Sequence, residues 1–314
     1  MICSGVVTVS HTLNKPPALR PGDTVGVVAT SATVEREYLE RGVGVLASMG
    51  YRVKVSGHAL DRAGIFAGSD RDRAHELNAF FADPAVKAIF GARGGYGCGR
   101  LLPLVDFAAM ARNPKIFLGF SDATFLLNAI VDRAATVAFH GPMVAMDFAV
   151  GLTPRSIDHL ARLLSGETRH FELEAREALH PGIGEGELIG GCLSVLVATL
   201  ATPFAPRFDG RILFLEDTGE KAYRVDRMLV QLKHAGVFER VAGVVFGAIR
   251  PVEGSAQERA RIAGFVAEQT AGSCPVLFGI EAGHGTENLT LPLGVRAKID
   301  CSRRSLMITE PAVG

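Results

Sequence analysis

The sequence predicts an α/β protein, a mostly parallel sheet covered by helices followed by a mixed α and β unit, and three observations predict it. From Thr24 onward short β-branched runs alternate with helical patterns, which demands right-handed crossovers and hence parallel strands. The stretch from Leu152 to Pro181 is helical at first, then polar and bounded by Pro and Gly, and it ends in HPGIGEGE as a linker between compact units does. In the tail, TLPLGVRAKID and SLMITE alternate apolar and polar residues about the turn CSRRS, the pattern of an antiparallel hairpin with one solvated face. The expected organisation is a first domain over residues 1–165, a linker over 166–185 and a second domain over 186–314.

Element by element, TVGVVAT reads as a strand because its β-branched residues suit a pleated, buried surface. A helix succeeds it near Glu35 to Met49, then the strand YRVKVSG and a helix near Arg71 to Phe81. The alternation continues with VKAIFGA, a short helix near Gly99 to Ala111, KIFLGF, a helix near Asp122 to Arg133, and TVAFH. Beyond the linker come ELIGG, an apolar helix from Cys192 to Leu200, RILFLED, a helix near Arg224 to Ala235, VAGVVFGAI, a helix near Gln257 to Gln269, and PVLFGI.

Composition narrows the function classes. The 314 residues exceed the roughly 100 to 200 of a usual single domain. With 48% hydrophobic and 21% charged residues the chain can bury a large core, which excludes wholesale disorder. The 33 basic residues balance the 33 acidic ones, so no net field draws the chain to nucleic acid. Cys3, Cys98, Cys192, Cys274 and Cys301 are odd in number, widely spaced and without a C-x-x-C pair, the usage of reduced cytosolic thiols. The N-terminal MICSGVVTVSHTLNK lacks a basic leader, which predicts no secretion. The longest apolar run, Leu193 to Pro203, is about half the roughly 20 residues of a membrane span. A soluble, cytoplasmic protein is expected.

In α/β sheets ligands gather outside the carboxyl ends of the strands, and four segments lie there. In GARGGYGCGR, after VKAIFGA, Gly94, Gly95, Gly97 and Gly99 expose backbone N–H groups suited to an oxyanion or phosphate. No register gives G-x-G-x-x-G and no G-x-x-x-x-G-K-[ST] occurs, so the segment also reads as a plain tight turn. In GFSDATFLLNAI, Ser121 stands at a strand-to-helix turn with the Asp122 N–H beside it, like a nucleophile elbow except that Ala123 replaces its Gly; a simple N-cap is the alternative. In RILFLEDTGEKAYRVDRML, Glu216, Asp217 and Glu220 could orient a histidine, hold Mg²⁺ or cap the next helix. In FGIEAGHGTENLTLPLG, His284 lies between two glycines where an imidazole can reach across a cleft. Serine, glutamate and histidine after strands are the types that a nucleophile, an orienter and a base require, but His140 and His234 compete and spacing does not choose among nine histidines.

These segments, in this order, resemble the LD-carboxypeptidase family of serine peptidases, which includes muramoyl-tetrapeptide carboxypeptidase and the microcin-immunity peptidases. The matching stretches run from LRPGDTVGVVA through IFAGSDRDRAHELNAFFADPAVKAIFGARGGYGCGRLL, FLGFSDATFLLNAI, FHGPM, LIGGCLSVLVATLATPF and RILFLEDTGEKAYRVDRMLVQL to FGIEAGHGTENLTLPLG, nearly the whole chain. The resemblance implies an N-terminal Rossmann-like nucleophile domain, a C-terminal domain supplying Glu and His, and a homodimer. It implies a triad of Ser121, Glu216 and His284, with an oxyanion hole of backbone N–H groups at Gly94, Gly95 and Asp122, and no metal or cofactor.

The expected function is that of a hydrolase that releases D-Ala from murein tetrapeptide during cell-wall recycling. Arg93 and Arg224 are candidates for the substrate carboxylate, each also readable as a surface or interface pair. The alternatives are an immunity-type peptidase for a peptide-nucleotide or modified peptide, and a non-catalytic phosphate- or sugar-binding protein. The sequence departs from the family pattern in having ATSATV for a usual Pro-Ser pair, Cys192 for Asn, and ATP at 201–203 for GTP. The immunity branch is associated with a tryptophan-bearing loop; this chain has no Trp, which favours the muropeptide branch.

Overall fold

The structure, a computed structural model, describes residues 13–314; Cys3 and most of the N-terminal segment that predicts no secretion lie outside the described residues. In chain order the elements are β1 (Thr24–Val28), α1 (Arg36–Ser48), β2 (Arg52–Val55), α2 (Asp70–Ala82), β3 (Val86–Gly91), α3 (Phe107–Arg112), β4 (Ile116–Gly119), α4 (Thr124–Arg133) and β5 (Ala138–His140). Next are α5 (Pro154–Leu164), β6 (Phe171–Glu174), β7 (Glu177–His180), β8 (Ile183–Cys192), α6 (Leu193–Val197), β9 (Ile212–Glu220), α7 (Ala222–His234), α8 (Val237–Arg240) and β10 (Gly243–Pro251). The chain closes with α9 (Ala256–Gln269), β11 (Val276–Phe278), β12 (Leu291–Leu293), β13 (Arg296–Asp300) and β14 (Ser305–Ile308).

Two sheets result. The first has the order β12-β5-β4-β3-β1-β2, parallel from β2 to β5. This is the doubly-wound order whose crevice opens where the connections reverse, between β1 and β3. The second has the order β6-β14-β13-β8-β9-β10-β11-β7, parallel through β8, β9, β10 and β11 and antiparallel at both flanks. The predicted α/β class, parallel first and mixed second, is the class observed. Among the described residues no helix is long and apolar enough to cross a membrane, and Cys98, Cys192, Cys274 and Cys301 are free thiols.

Sequence chemistry accounts for the local boundaries. Ser69, Thr153 and Ser255 begin α2, α5 and α9 by accepting from the N–H of Asp72, Ser156 and Glu258, at 3.2, 3.1 and 3.1 Å. Strand β4 is buried at every residue, and Ile212 to Leu215 of β9 are wholly inaccessible, as parallel strands covered on both faces are. The helix expected from Gly99 to Ala111 divides into a 3₁₀ turn over Cys98–Leu104 and the separate α3. Pro103 lacks a donor and Val105 is extended, and Asp106 restarts the helix by capping Ala109 N at 2.8 Å.

Two larger differences concern the ends of the second unit. Residues 171–174 and 177–180, inside the expected linker, form β6 and β7 and cover the two edges of the second sheet. The tail hairpin consists of β13 and β14 alone. The preceding Leu291–Leu293 joins the first sheet as β12, antiparallel to β5. All three β12 residues are buried, so this segment has no solvated face to keep it in the hairpin, and the edge position tolerates Pro292.

The two sheets are clasped through α4. Asn128, buried within that helix, donates to Gly190 O at 2.9 Å and accepts from Gly190 N at 3.0 Å, while Thr124 Oγ1 accepts from Cys192 N at 3.0 Å. Leu at position 128 would leave the buried amide and carbonyl of Gly190 without partners. Asn128→Leu is expected to lower stability by about 2–4 kcal/mol, read from the denaturant midpoint at unchanged slope.

Candidate active site

Ser121 comes shortly after β4, and its φ of 58° places a non-glycine residue in the left-handed region. Such a conformation costs about 1–3 kcal/mol and persists only where the surroundings enforce it. Here Gly119 is held in register with His140 of the neighbouring strand, and Ala123 N donates to Phe120 O at 3.1 Å. The Asp122 side chain, buried beside Ser121, accepts from Cys98 N at 2.8 Å and so binds the elbow to the glycine-rich turn. Burial raises the Asp122 carboxyl above its ordinary value, with Ser31, the Cys98 amide and Arg73 opposing. The Asp122 N–H is among the amides that a first turn leaves without an internal acceptor.

Gly94 lies against this elbow. A Cβ there would sit 3.0 Å from Ser121 Cβ and 3.1 Å from its Oγ, so only glycine lets the backbone run beside the hydroxyl. Gly95 is next, with φ of 106°, packed on Ala32. Arg93, half-buried, donates to Thr33 O at 3.0 Å, and its Nε is buried without a partner among the described residues.

Glu216 comes from the other sheet. It lies on β9 opposite Cys192 of β8, which brings it to the same clasp that holds α4. Its side chain is fully buried. One oxygen, Oε2, accepts from His284 Nδ1 at 2.6 Å and from His284 N at 3.0 Å. The preceding Gly283 makes this possible, since a Cβ there would fall 2.5 Å from Glu216 Cγ and Oε2. Burial pushes the Glu216 carboxyl up, but the imidazoles of His140 and His284 beside it outweigh this and hold the group well below its ordinary value. Burial pulls His284 down, and the Glu216 carboxylate more than offsets this, leaving the imidazole pKa raised.

The histidine loop is itself braced. Asn288 Oδ1 accepts from Gly283 N at 3.0 Å, and Glu287 Oε2 accepts from Thr153 Oγ1 and Ser156 Oγ, both at 2.6 Å, at the start of α5. Phe120, immediately before Ser121, lays its ring against His284 with 4.6 Å between centres. Glu216 and His284 are thus in direct contact, and Ser121 meets them through its neighbour Phe120 and through Thr124. No hydrogen bond joins Ser121 Oγ to His284 among the described residues.

The other acids of the β9 segment disperse. Asp217 accepts from Ser194 N at 2.7 Å and Thr218 N at 2.8 Å, and Glu220 pairs with Arg224 at 3.5 Å. They share no metal-like cluster with Glu216, and among the described residues no group of three or more His, Cys, Asp or Glu side chains has metal-ligand spacing. Arg224 is exposed on α7 and joins none of the residues above except Glu220. Sequence reasoning held His140 only as a competitor of His284; it ends β5 fully buried, with Nε2 3.6 Å from Glu216 Oε1, so the two histidines flank one carboxylate. That reasoning also missed Thr124 and Asn128, whose i, i+4 spacing marks one helix face but not the partner that the face meets.

Residues 25–141 match the LD-carboxypeptidase N-terminal domain and residues 185–299 the LD-carboxypeptidase C-terminal domain. The chain is 36% identical over 314 residues to a protein of Bacillus subtilis named as a probable murein peptide carboxypeptidase, covering 97% of this chain and 96% of that one. The crystal structure of muramoyltetrapeptide carboxypeptidase from Oxalobacter formigenes superposes with a TM-score of 0.81 at 30% identity, over 90% of this chain and 97% of that one. A microcin C7 self-immunity protein in complex with aspartyl sulfamoyl adenosine superposes with a TM-score of 0.87 at 26% identity, over 96% of this chain and 100% of that one. An elbow serine on one sheet and a buried Glu-His pair on the other, in a chain that matches both domains along its length, lead to one conclusion: the protein is a serine carboxypeptidase and belongs to the LD-carboxypeptidase family.

Proposed function

We propose that the chain hydrolyses the amide between an L-centre and the terminal D-Ala of murein tetrapeptide, with Ser121, Glu216 and His284 as its triad. The observation that carries this reading is the buried Glu216 carboxylate bonded at 2.6 Å to His284 Nδ1, with the imidazole packed on the residue before Ser121. In this arrangement Ser121 Oγ attacks the carbonyl carbon, and His284 Nε2 takes its proton and later delivers it to the leaving amine. Glu216 holds the imidazole with its proton on Nδ1 and stabilises the imidazolium that forms. The backbone amides at Gly94, Gly95 and Asp122 receive the developing oxyanion. The approach of Gly94 to Ser121 Oγ supports this, and losing one such donor commonly costs about a hundredfold or more.

The terminal carboxylate calls for a guanidinium. Arg93 has the better case because it adjoins the Gly94 turn and has a buried Nε without a partner, whereas Arg224 is an exposed ion-paired group. The muropeptide substrate is supported by the names of the Bacillus and Oxalobacter relatives and by the absence of Trp from the sequence. The likeness to the self-immunity protein supports the second reading, a peptidase for an aminoacyl-nucleotide conjugate. Recycling of murein peptides would put the enzyme in the cytoplasm, and the family resemblance adds a homodimer.

Incubation with murein tetrapeptide, followed by mass spectrometry, is expected to show D-Ala release that chelator does not affect and that Ser121→Ala lowers about 10⁴-fold or more. Intact tetrapeptide beside a cleaved aminoacyl-nucleotide would overturn the muropeptide reading. Because His284 must be neutral to accept the proton and its pKa is raised, kcat/KM should fall on the acid side with an inflection above 6.5; Glu216→Gln should move that inflection downward. An inflection that Glu216→Gln leaves in place would remove Glu216 from the triad. Arg93→Ala is expected to raise KM for the tetrapeptide more than it lowers kcat; unchanged KM in both Arg93→Ala and Arg224→Ala would end the carboxylate assignment.

A further inference from the structure

Glu216 presents two oxygens to a fully buried environment, and the hydrogen bonds to His284 occupy only Oε2. Oε1 has no hydrogen-bond partner among the described residues, and neither does either ring nitrogen of His140. Both side chains are inaccessible to solvent, and His140 Nε2 faces Glu216 Oε1 at 3.6 Å. Two buried polar groups that face each other at this distance are each costly when unpaired, and a closing movement of about 0.6 Å brings them to ordinary hydrogen-bond length.

His140 is placed for this by three strands. It ends β5, where it pairs with Gly119 of β4 on one side and Leu291 of β12 on the other. Its ring meets Phe120 edge-on, 5.7 Å between centres at 69°, and Phe214 of β9 at 5.0 Å and 80°. Phe120 precedes the nucleophile and Phe214 lies two residues before Glu216 on the same strand face. The imidazole therefore contacts the segment that delivers Ser121 and the strand that delivers Glu216, and its backbone pairs with the strand that continues from the His284 loop.

We infer that His140, with a proton on Nε2, donates to Glu216 Oε1 and is a positioning residue for the catalytic acid. The inference rests on the triad reading of Glu216 and His284. With donors on both oxygens the carboxylate cannot rotate, and the acid from one sheet is held in register with the nucleophile from the other. A second donor also draws charge away from Oε2, which limits how tightly Glu216 holds the proton on His284. The other titratable groups around the pair are Asp217 on β9, Cys192 at the end of β8 and Asp147 in the turn after β5.

The test compares His140→Leu and His140→Gln in the full-length enzyme, with melting temperature measured alongside kinetics on the tetrapeptide. His140→Leu is expected to lower kcat about ten- to a hundredfold with KM little changed, the range that one charge-assisted hydrogen bond carries, and to move the acid limb of kcat/KM to higher pH. His140→Gln, whose amide N–H falls near the position of Nε2, should restore most of kcat and return the limb toward wild type. If His140→Leu does not fold, ¹⁵N NMR of the wild-type imidazoles decides: a His140 ring with its proton on Nε2 supports the inference, and protonation on Nδ1 alone overturns it. An unmoved acid limb, or a Gln variant no better than Leu, also overturns it. Glu216→Gln run beside them separates the two claims, since a Glu216 variant with full activity would remove the triad reading itself.

Discussion

An ionised carboxylate with no exposure to water is stable only when protein donors replace the lost hydration, and Glu216 imposes that requirement on the whole structure. Desolvating such a group costs several kcal/mol before any partner is found. Two donors come from the His284 loop, and His140 of the opposite sheet faces the second oxygen at 3.6 Å. The buried charge therefore lies where groups from both sheets meet.

The elbow meets the same demand from the other side. Ser121 occupies a conformation that an isolated chain would leave, and it is retained because each neighbour is committed elsewhere: Asp122 to the Cys98 amide, Thr124 to the Cys192 amide, Asn128 to both groups of Gly190. These are hydrogen bonds to backbone, so they specify position closely without depending on long flexible side chains. The strain at the serine and the desolvation of the glutamate are thus offset by one interface, which lies along the chemistry rather than away from it.

Much of this was legible in the sequence, and the legible parts share a physical basis. Runs such as VKAIFGA and RILFLED announce strands because parallel strands are buried on both faces, and the residues after them could be singled out because strand ends line the crevice. Periodicity could not rank His284 above His140, since both come after apolar strands; only the family resemblance chose between them. The route of Leu291–Leu293 was illegible for a different reason. Three apolar residues fit either a hairpin or a buried edge, and the choice depends on the vacant side of β5, far earlier in the chain, a long-range fact that local pattern does not contain. The strands β6 and β7 were hidden likewise, because polar edge strands look like linker until their partners are known.

The placement of β12 has a further consequence for how the molecule is made. As the ribosome releases the chain from the N-terminus, the residues of β1 to β5 emerge first, and the outer edge of β5 stays uncovered until residues 291–293 follow. For most of synthesis the nascent protein carries an open sheet margin of the kind that pairs with foreign strands. The residues that close it come only a few positions after His284, so the completed sheet and the completed histidine loop arrive together. A product that stopped before residues 291–293 would keep that margin of β5 open to foreign strands.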